Sequence, residues 1–308
     1  MHFFLRGPTP SPLSRRPVCE GDEVLVAAPT PPGAHIRQAG EDIEAGAEVF
    51  PVGTVLGPGH IGVLYNVGRE EVSAVRAPVV GVLATGDELV EGGRPLRPGQ
   101  IWESNRRTLL ALLARDSYPA VDLGIARDDE EEEIERRLLD ASSRCDAVMT
   151  SGGVSMGDFD LVRVVLDRIA SVWWMQVAIR PAKPFALGKI GTVPLFGLPG
   201  NPVSSMVSYE ILARPGLRKL SGRARDDLVR PVIKGVTDIA LRGGRDEKIR
   251  FVWVHTGFAE DGLLHMRAAG GQRSHQLHAM SLSNALAVLG PREVIEPGGE
   301  VGLLALSR

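Results

Sequence analysis

The stretch DAVMTSGGVSMGDFDLVRVVLDRIA, residues 146–170, decides the fold class of this chain. Its start, Asp146–Thr150, is apolar and predicts a short buried strand, while Leu161–Ala170 has apolar side chains at helical spacing. A glycine-rich turn, Ser151–Asp160, therefore joins a strand to a helix. Glycines let a backbone approach a ligand closely, and the start of a helix offers unpaired N–H groups to an anion.

The same turn carries two acids, Asp158 and Asp160, which a metal ion could bridge to a phosphate. We therefore hypothesise that Gly152, Gly153, Ser155 and Asp158 help to bind a phosphorylated small molecule. The alternative is a plain strand–helix connection, in which the glycines serve only the turn and the acids only cap the helix. The loop alone leaves both interpretations open.

The regions on either side of this turn repeat the alternation of strand and helix. Apolar runs predict strands at 79–84, 120–124, 146–150, 172–179 and 194–197, and helical patterns follow Ser104 and cover 130–143, 161–170 and 203–220. This order predicts an α/β fold, with a central parallel or mixed sheet and helices on both faces. Ligands in such folds bind at the carboxyl ends of the strands.

The composition and hydrophobic pattern of the chain predict four segments. Residues 1–33 form a proline-rich lead-in, and 34–76 form a partial N-terminal β-rich domain of short strands and turns. Residues 77–222 form the α/β domain, and 226–308 form a small β domain of short alternating runs.

Composition excludes several classes of function. A net charge of −3 and 5% aromatic residues argue against a nucleic-acid partner. No apolar run approaches the roughly 20 residues of a membrane span, so we expect no membrane partner. The chain has only 2 cysteines, far apart in sequence, which favours a reducing cytoplasm over a disulfide framework.

The predicted strand-end loops carry further polar groups. Glu88 follows the first strand, Asp128 follows the second, and the Pro199–Pro202 turn, which contains Asn201, follows the last. Arg180 and Lys183 flank a proline turn, where both could reach one anion. Each loop also has a plainer interpretation as a solvated turn, a helix cap or a stiff helix start. Together they predict a site for a metal ion and a phosphorylated or oxyanionic substrate.

These residues lie in motifs that resemble those of the molybdopterin molybdenumtransferase family, the MoeA family, which includes the gephyrin E domain. The motifs occur in the expected order from about Ile36 to the C-terminus: Arg37–Ile43, Thr85–Leu89, Gly99–Asn105, Gly124–Asp128, Ser151–Asp158, Arg180–Pro184, Gly197–Ser204, Gly271–His275 and Ser281–Asn284.

The resemblance implies a reaction. Members of the family bind adenylylated molybdopterin, molybdate and a divalent cation, usually Mg²⁺, insert the molybdenum into the dithiolene, and release AMP. Carried onto this chain, the family's roles make Glu88, Asp128 and Asp158 the residues that serve Mg²⁺ and the pterin pyrophosphate. Arg180 and Lys183 then hold the anion. Pro199, Asn201 and Pro202 line its pocket, and Ser274 matches an active-site serine of the β domain.

The resemblance also implies a homodimer, and it identifies departures from the family pattern. We expect this chain to be shortened before Arg37, where members carry a long N-terminal part. Gln176 stands where members often have lysine, and Arg180 replaces the first lysine of the Lys-Pro-Gly-Lys-Pro pattern. A pterin-binding or scaffold homologue with impaired catalysis is therefore the alternative function. A related pterin adenylyltransferase or nucleotide amidase is a third, which the Pro199–Pro202 turn and the β domain disfavour.

Overall fold

A computed structural model gives the structure of the chain for residues 18–20, 23–25, 32–33, 36–127, 131–154, 161–272 and 276–306. The first two of these segments are described by their backbone alone. The chain forms two compact units, Met1–Pro51 and Val52–Arg308. In the first unit, two short strands pair in antiparallel register, with Val18 opposite Leu25.

The helices are α1 (Pro58–Asn66), α2 (Asn105–Arg115), α3 (Glu131–Arg144), α4 (Leu161–Ile169), α5 (Pro202–Ser208), α6 (Arg214–Leu220) and α7 (Leu277–Ser281). The strands are β1 (Val18–Glu20), β2 (Glu23–Leu25), β3 (Val80–Thr85), β4 (Leu89–Val90), β5 (Ile101–Trp102), β6 (Ala120–Ala126), β7 (Ala147–Ser151), β8 (Ser171–Gln176), β9 (Ile179–Arg180), β10 (Pro184–Ile190), β11 (Val193–Leu198), β12 (Val232–Thr237), β13 (Leu241–Arg242), β14 (Ile249–Phe258), β15 (Leu264–Ala268), β16 (Ala285–Leu289), β17 (Val294–Ile295) and β18 (Glu300–Ala305). None of the described helices is long and apolar enough to cross a membrane.

The second unit is built around a six-stranded sheet in the order β6-β3-β7-β11-β10-β8. Its first four strands are parallel, and β10 runs antiparallel to both β11 and β8. The parallel strands β3 and β7 are buried along their whole length, as expected of strands covered on both faces. The carboxyl ends of β6, β3, β7 and β11 therefore meet at one edge of the sheet.

Helices cover both faces of this sheet, because successive side chains of each strand point to opposite sides. On one face, α2, α5 and α6 pack against the strands in a core that includes Leu109, Tyr209 and Leu217. On the other face, α3 and α4 contribute Ile134, Leu166 and their neighbours. The predicted α/β fold, with a central sheet between two helical layers, is confirmed.

The predicted helix over 203–220 is one continuous helical segment with an insertion. A π-helical turn, Tyr209–Ala213, separates α5 from α6. Tyr209 and Glu210 of this turn are buried, and their polar groups meet ion pairs from α2. π-Helical turns are rare and occur mostly as single turns inside α-helices.

The predicted small β domain is also confirmed, as a closed sheet. Its order is β15-β12-β18-β16-β14, and a further β14–β15 pairing joins the two ends. Strand β14 spans 10 residues, so that it pairs with β16 along its first half and with β15 along its second. The start of β14 also pairs with β9, which ties this barrel-like sheet to the segment before Pro181.

The sequence prediction missed a helix and a strand of this unit. Residues 58–66, expected to form only short strands and turns, form α1, which begins with Pro58 at its first turn and buries no residue. Pro184–Ile190, for which no strand was predicted, forms β10. The proline and glycine of that segment weaken its strand signal, but pairing with both β8 and β11 outweighs this local preference.

Candidate functional site

Turns from three strands converge at the carboxyl edge of the central sheet. The Gly152 N–H, just after β7, donates to the Leu198 carbonyl at the end of β11, with N and O 3.0 Å apart. A Cβ placed on Gly152 would lie 2.6 Å from the Thr85 carbonyl oxygen at the end of β3. A Cβ placed on Gly200 would lie 3.7 Å from the Gly152 Cα. The backbones of the three turns are therefore in direct contact.

The glycines predicted for binding are required by this geometry. Gly152 and Gly153 have φ angles of +93° and +71°, a region that residues with a Cβ rarely adopt. A Cβ on Gly153 would meet the Val162 Cβ at 2.5 Å, so its absence lets α4 approach the turn. These glycines therefore serve the turn and its packing, and ligand binding by them stays a prediction.

The Pro199–Pro202 turn adjoins the glycine turn. Pro199 is buried, Asn201 is exposed, and Pro202 opens α5. Asn201 has an extended backbone, and its carbonyl accepts from the Ser205 N–H at 2.9 Å, while its side chain makes no capping hydrogen bond. The Asn201 amide is thus available to a ligand at the sheet edge.

The basic turn lies at the same edge of the sheet. Ala186 of β10 is opposite Gly197 of β11, so the antiparallel register sets the start of β10 beside the end of β11. The segment before it is held by the Val177 N–H, which donates to the Lys183 carbonyl at 2.7 Å. Lys183 and Arg180 are both exposed, and Arg180 belongs to β9, which pairs with the barrel-like sheet.

Glu88 lies in the turn after β3. Its carboxylate folds over Gly86, where an added Cβ would come within 2.7 Å of Oε2. The Gly86 N–H donates to the Ala126 carbonyl at 3.3 Å, which joins this turn to the end of β6. Glu88 is exposed and therefore free to meet a ligand near the point where the chain leaves β6.

Four predicted site residues lie outside the described residues: Asp128, Ser155, Asp158 and Ser274. The other eight are described, and Gly152, Gly153, Pro199, Asn201, Pro202 and Glu88 belong to turns joined by the contacts above. Within the described ranges, no group of three His, Cys, Asp or Glu side chains is placed to hold a metal ion. Glu88 is the described residue of the predicted metal set, and its exposed carboxylate offers the oxygen ligand that Mg²⁺ prefers.

Sequence reasoning missed the contribution of α2 to this edge. Asn105, the first residue of α2, donates from Nδ2 to the Ser151 Oγ at 2.9 Å and to the Gly200 carbonyl at 2.6 Å. Ser104, which precedes this helix, occupies the cap position, but its side chain makes no capping hydrogen bond. The available signal was the Gly99–Asn105 motif, whose last residue was not assigned a role.

A separate cavity of about 540 Å³ lies beside α2 and α3, and its lining includes none of the turns above. Its most buried charge is the Arg106 guanidinium, which pairs with Glu91, Glu103 and Asp122. Burial favours the protonated form of Asp122, but the Arg106 hydrogen bond and the nearby charges outweigh it and lower the pKa of this carboxyl. The guanidiniums here are paired with acids of the same chain, so this cavity has the character of a structural ion-pair network.

Two family profiles match the chain. The profile of a probable molybdopterin binding domain matches residues 81–219, which contain the whole central sheet except the first residue of β3. The profile of the MoeA N-terminal region, domains I and II, matches residues 14–68. This second match includes part of the expected lead-in, and it also includes α1.

Curated relatives match over most of the chain. The molybdopterin molybdenumtransferase of Haemophilus influenzae is 38% identical over 261 residues, which is 84% of this chain and 63% of the relative. Molybdopterin molybdenumtransferase 2 of Mycobacterium tuberculosis is 32% identical over 292 residues, which is 89% of this chain and 67% of the relative. The chain thus spans about two thirds of the length of these curated relatives.

A solved structure extends the match to the fold. The molybdopterin biosynthesis MoeA protein of Pyrococcus horikoshii superposes with a TM-score of 0.72 at 26% sequence identity, covering 95% of this chain and 70% of that protein. The sequence motifs, the two profiles, the curated relatives and this fold agree. The chain belongs to the molybdopterin molybdenumtransferase family, the MoeA family.

Proposed function

We propose that this chain inserts molybdate into adenylylated molybdopterin and releases AMP, as a step of molybdenum cofactor biosynthesis. The observation that carries the proposal is the convergence of the turns after β3, β7 and β11 at one sheet edge, with the basic turn before β10 beside them. This edge combines close backbone approach, an exposed carboxylate and exposed cations, which suit a phosphorylated pterin and a tetrahedral oxyanion.

The residues divide the work by chemistry. The Gly152–Gly153 turn and the Pro199–Pro202 turn form the surface against which the pterin phosphates bind, together with Ser155 and Asp158. Arg180 and Lys183 are the cations that hold molybdate, because a guanidinium and an ammonium both stabilise an oxyanion. Ser274 and Asn201 supply neutral polar contacts. Catalysis then depends mainly on positioning and charge neutralisation.

Magnesium is the cation that this proposal includes. Glu88, Asp128 and Asp158 would hold it through carboxylate oxygens. Glu88 is exposed in the turn after β3, at the carboxyl edge of the central sheet. When bound, the cation would neutralise charge on the pyrophosphate.

The same family relation leads us to propose a homodimer that acts in the cytoplasm. We also propose that residues 77–222 form the molybdopterin-binding domain and 226–308 the C-terminal β domain, with 34–76 as part of the N-terminal domain and 1–33 as its lead-in. Sedimentation velocity of the purified chain tests the dimer, since a monomer at working concentration would contradict it.

The direct test is AMP release. The purified chain, incubated with adenylylated molybdopterin, is expected to release AMP only when both Mg²⁺ and molybdate are present, as measured by chromatography. If the chain binds the substrate without releasing AMP, it is a pterin-binding or scaffold homologue instead. If it does not bind adenylylated molybdopterin, the site assignment is wrong.

Two lysines at opposite ends of β10 provide a matched comparison for the anion site. Lys183 precedes β10 at the site edge, while Lys189 is exposed near its other end, opposite Pro194. We expect Lys183→Ala to raise the molybdate concentration for half-maximal AMP release by at least about tenfold, because one hydrogen-bonded charge contributes on the order of 1.5–3 kcal/mol. Lys189→Ala should leave it unchanged, and equal effects of the two variants would contradict the assignment.

A further inference from the structure

Asn105 connects two turns that are far apart in sequence. Its Nδ2 group donates to the Ser151 Oγ and to the Gly200 carbonyl, at 2.9 and 2.6 Å. These acceptors belong to the glycine turn after β7 and to the proline turn after β11. The Gly152 N–H, which donates to the Leu198 carbonyl, also joins the segment after β7 to the end of β11.

The orientation of the Asn105 amide is determined by its neighbours. A flipped amide would set Oδ1 against the Gly200 carbonyl, and two acceptors at hydrogen-bond distance repel each other. Nδ2 must therefore face Gly200, and both of its hydrogens are used. Oδ1 is buried and has no hydrogen-bond partner among the described residues. An unsatisfied buried acceptor is unfavourable for folding, so this amide is poorly explained as a purely stabilising group.

We propose that Asn105 is a positioning residue that holds the glycine turn and the proline turn at a fixed separation for the pterin phosphates. This inference rests on the proposed function of the site. Gly152 and Gly200 have no side chain to restrain them, and glycine backbones are conformationally permissive. Because Asn105 opens the 11-residue helix α2, which packs on the central sheet, the rigidity of that helix is transmitted to both turns.

The first test needs no substrate. Hydrogen exchange is compared for the wild-type protein, Asn105→Ala and a matched control, Asn284→Ala. Asn284 lies in the β domain, where its side chain bonds the Thr256 backbone N–H and carbonyl at 2.7 and 2.9 Å. We expect Asn105→Ala to speed exchange of the Gly152 amide by at least about tenfold, since local opening then needs fewer broken contacts. Asn284→Ala should not change it, and an unchanged Gly152 amide in Asn105→Ala would overturn the proposal.

The second test measures the affinity for the substrate. Asn105→Ala is expected to weaken binding of adenylylated molybdopterin by at least about tenfold in calorimetry, while Asn284→Ala lowers the melting temperature without changing this affinity. Faster exchange with unchanged substrate affinity would overturn the positioning role. A further outcome is faster exchange and weaker binding in the variant while the wild-type protein releases no AMP. That result would preserve the positioning role of Asn105 and disprove only the proposed reaction.

A conservative variant separates the hydrogen-bond donor from side-chain volume. Asn105→Asp keeps the shape but cannot donate to the Gly200 carbonyl, and a carboxylate in the first turn of α2 is favourable for the helix dipole. We expect Asn105→Asp to show the fast exchange of Gly152, because its carboxylate repels the Gly200 carbonyl instead of donating to it. A carboxylate also repels an anionic ligand, so the role of the donor is judged from hydrogen exchange measured without ligand. Wild-type exchange in Asn105→Asp would show that volume alone matters, which would overturn the proposal.

Discussion

At the scale of single residues, the glycine turn is the most demanding feature of the molecule. Gly152 combines a φ of +93° with a backbone oxygen 2.6 Å from the position of an added Cβ. Gly191, in the turn between β10 and β11, also has a positive φ, +59°, but open space around it. The two positions therefore separate backbone strain from steric clash.

We predict that Gly152→Ala is the more destabilising substitution of the two. Gly191→Ala should cost about 1–2 kcal/mol for the left-handed conformation alone. Gly152→Ala must also displace the end of β3. Its decrease in the free energy of unfolding should therefore exceed that of Gly191→Ala by at least about 1 kcal/mol. Urea unfolding of both variants measures this difference, and equal losses would show that the turns are not packed as described.

Glu88 provides a second prediction at this scale. Its carboxylate is exposed, so Glu88→Gln should change the free energy of unfolding by no more than about 0.5 kcal/mol. If it is a Mg²⁺ ligand, the Mg²⁺ concentration for half-maximal AMP release should rise by about tenfold, as expected when a charged ligand becomes neutral. Glu296→Gln, at an exposed position of the β domain, is the control. Unfolding of Glu88→Gln, or an unchanged Mg²⁺ requirement, would contradict the assignment.

At the scale of elements, the π turn carries a buried ion-pair network. The side chain of Glu210 is 0% exposed and lies 2.7 Å from Arg115 and 2.8 Å from Arg230. Arg230 also donates to the Ala305 carbonyl at 3.0 Å, so the network links α2 to the last strand of the β domain. We predict that Glu210→Gln lowers the free energy of unfolding by about 1.5–3 kcal/mol, because it removes a fully buried carboxylate that two guanidiniums contact. A loss below about 1 kcal/mol in urea unfolding would show that the pair is solvated.

The neighbouring Asp116 predicts a pH dependence. Burial favours its protonated form, but hydrogen bonds from Arg115 and Tyr209 and the charges of Arg115 and Arg214 outweigh it and lower the pKa of this carboxyl. A lowered pKa stabilises the fold above the ordinary aspartate pKa of about 3.9, and this stability is lost as the pH falls through the folded-state value. Asp116→Asn should therefore be less stable than wild type at pH 6, by an amount that shrinks as the pH falls below about 3.9. A difference that stays constant with pH would contradict this account.

The elements also show what could be predicted from sequence. Strands β3 and β7 and helices α3 and α4 have strong apolar periodicity, so their positions were predicted to within a residue or two. Strand β10 and the π turn have no such signal. Strand β10 forms because it pairs with a strand on each side, and the π turn accompanies the burial of Glu210. These are tertiary effects that local sequence does not encode.

At the scale of the whole molecule, the strand order explains why the site could be inferred from a linear pattern. Parallel strands separated by helices must end at one edge, so loops after different strands were expected to meet there. The contacts within that edge were not predictable, since Asn105 meets Gly200 across 95 positions of the chain. The closure of the β domain by β14 and β15 likewise depends on the register of pairs that are distant in sequence.

The central claim is that the turns after β3, β7 and β11 form the binding surface for adenylylated molybdopterin. A crystal structure of this chain with that substrate tests it most directly. We predict that the pterin phosphates lie against Gly152–Gly153 and the Pro199–Pro202 turn, within hydrogen-bond reach of their polar groups. Substrate bound in the arginine-lined cavity beside α2 and α3, or on any surface away from these turns, would contradict the account.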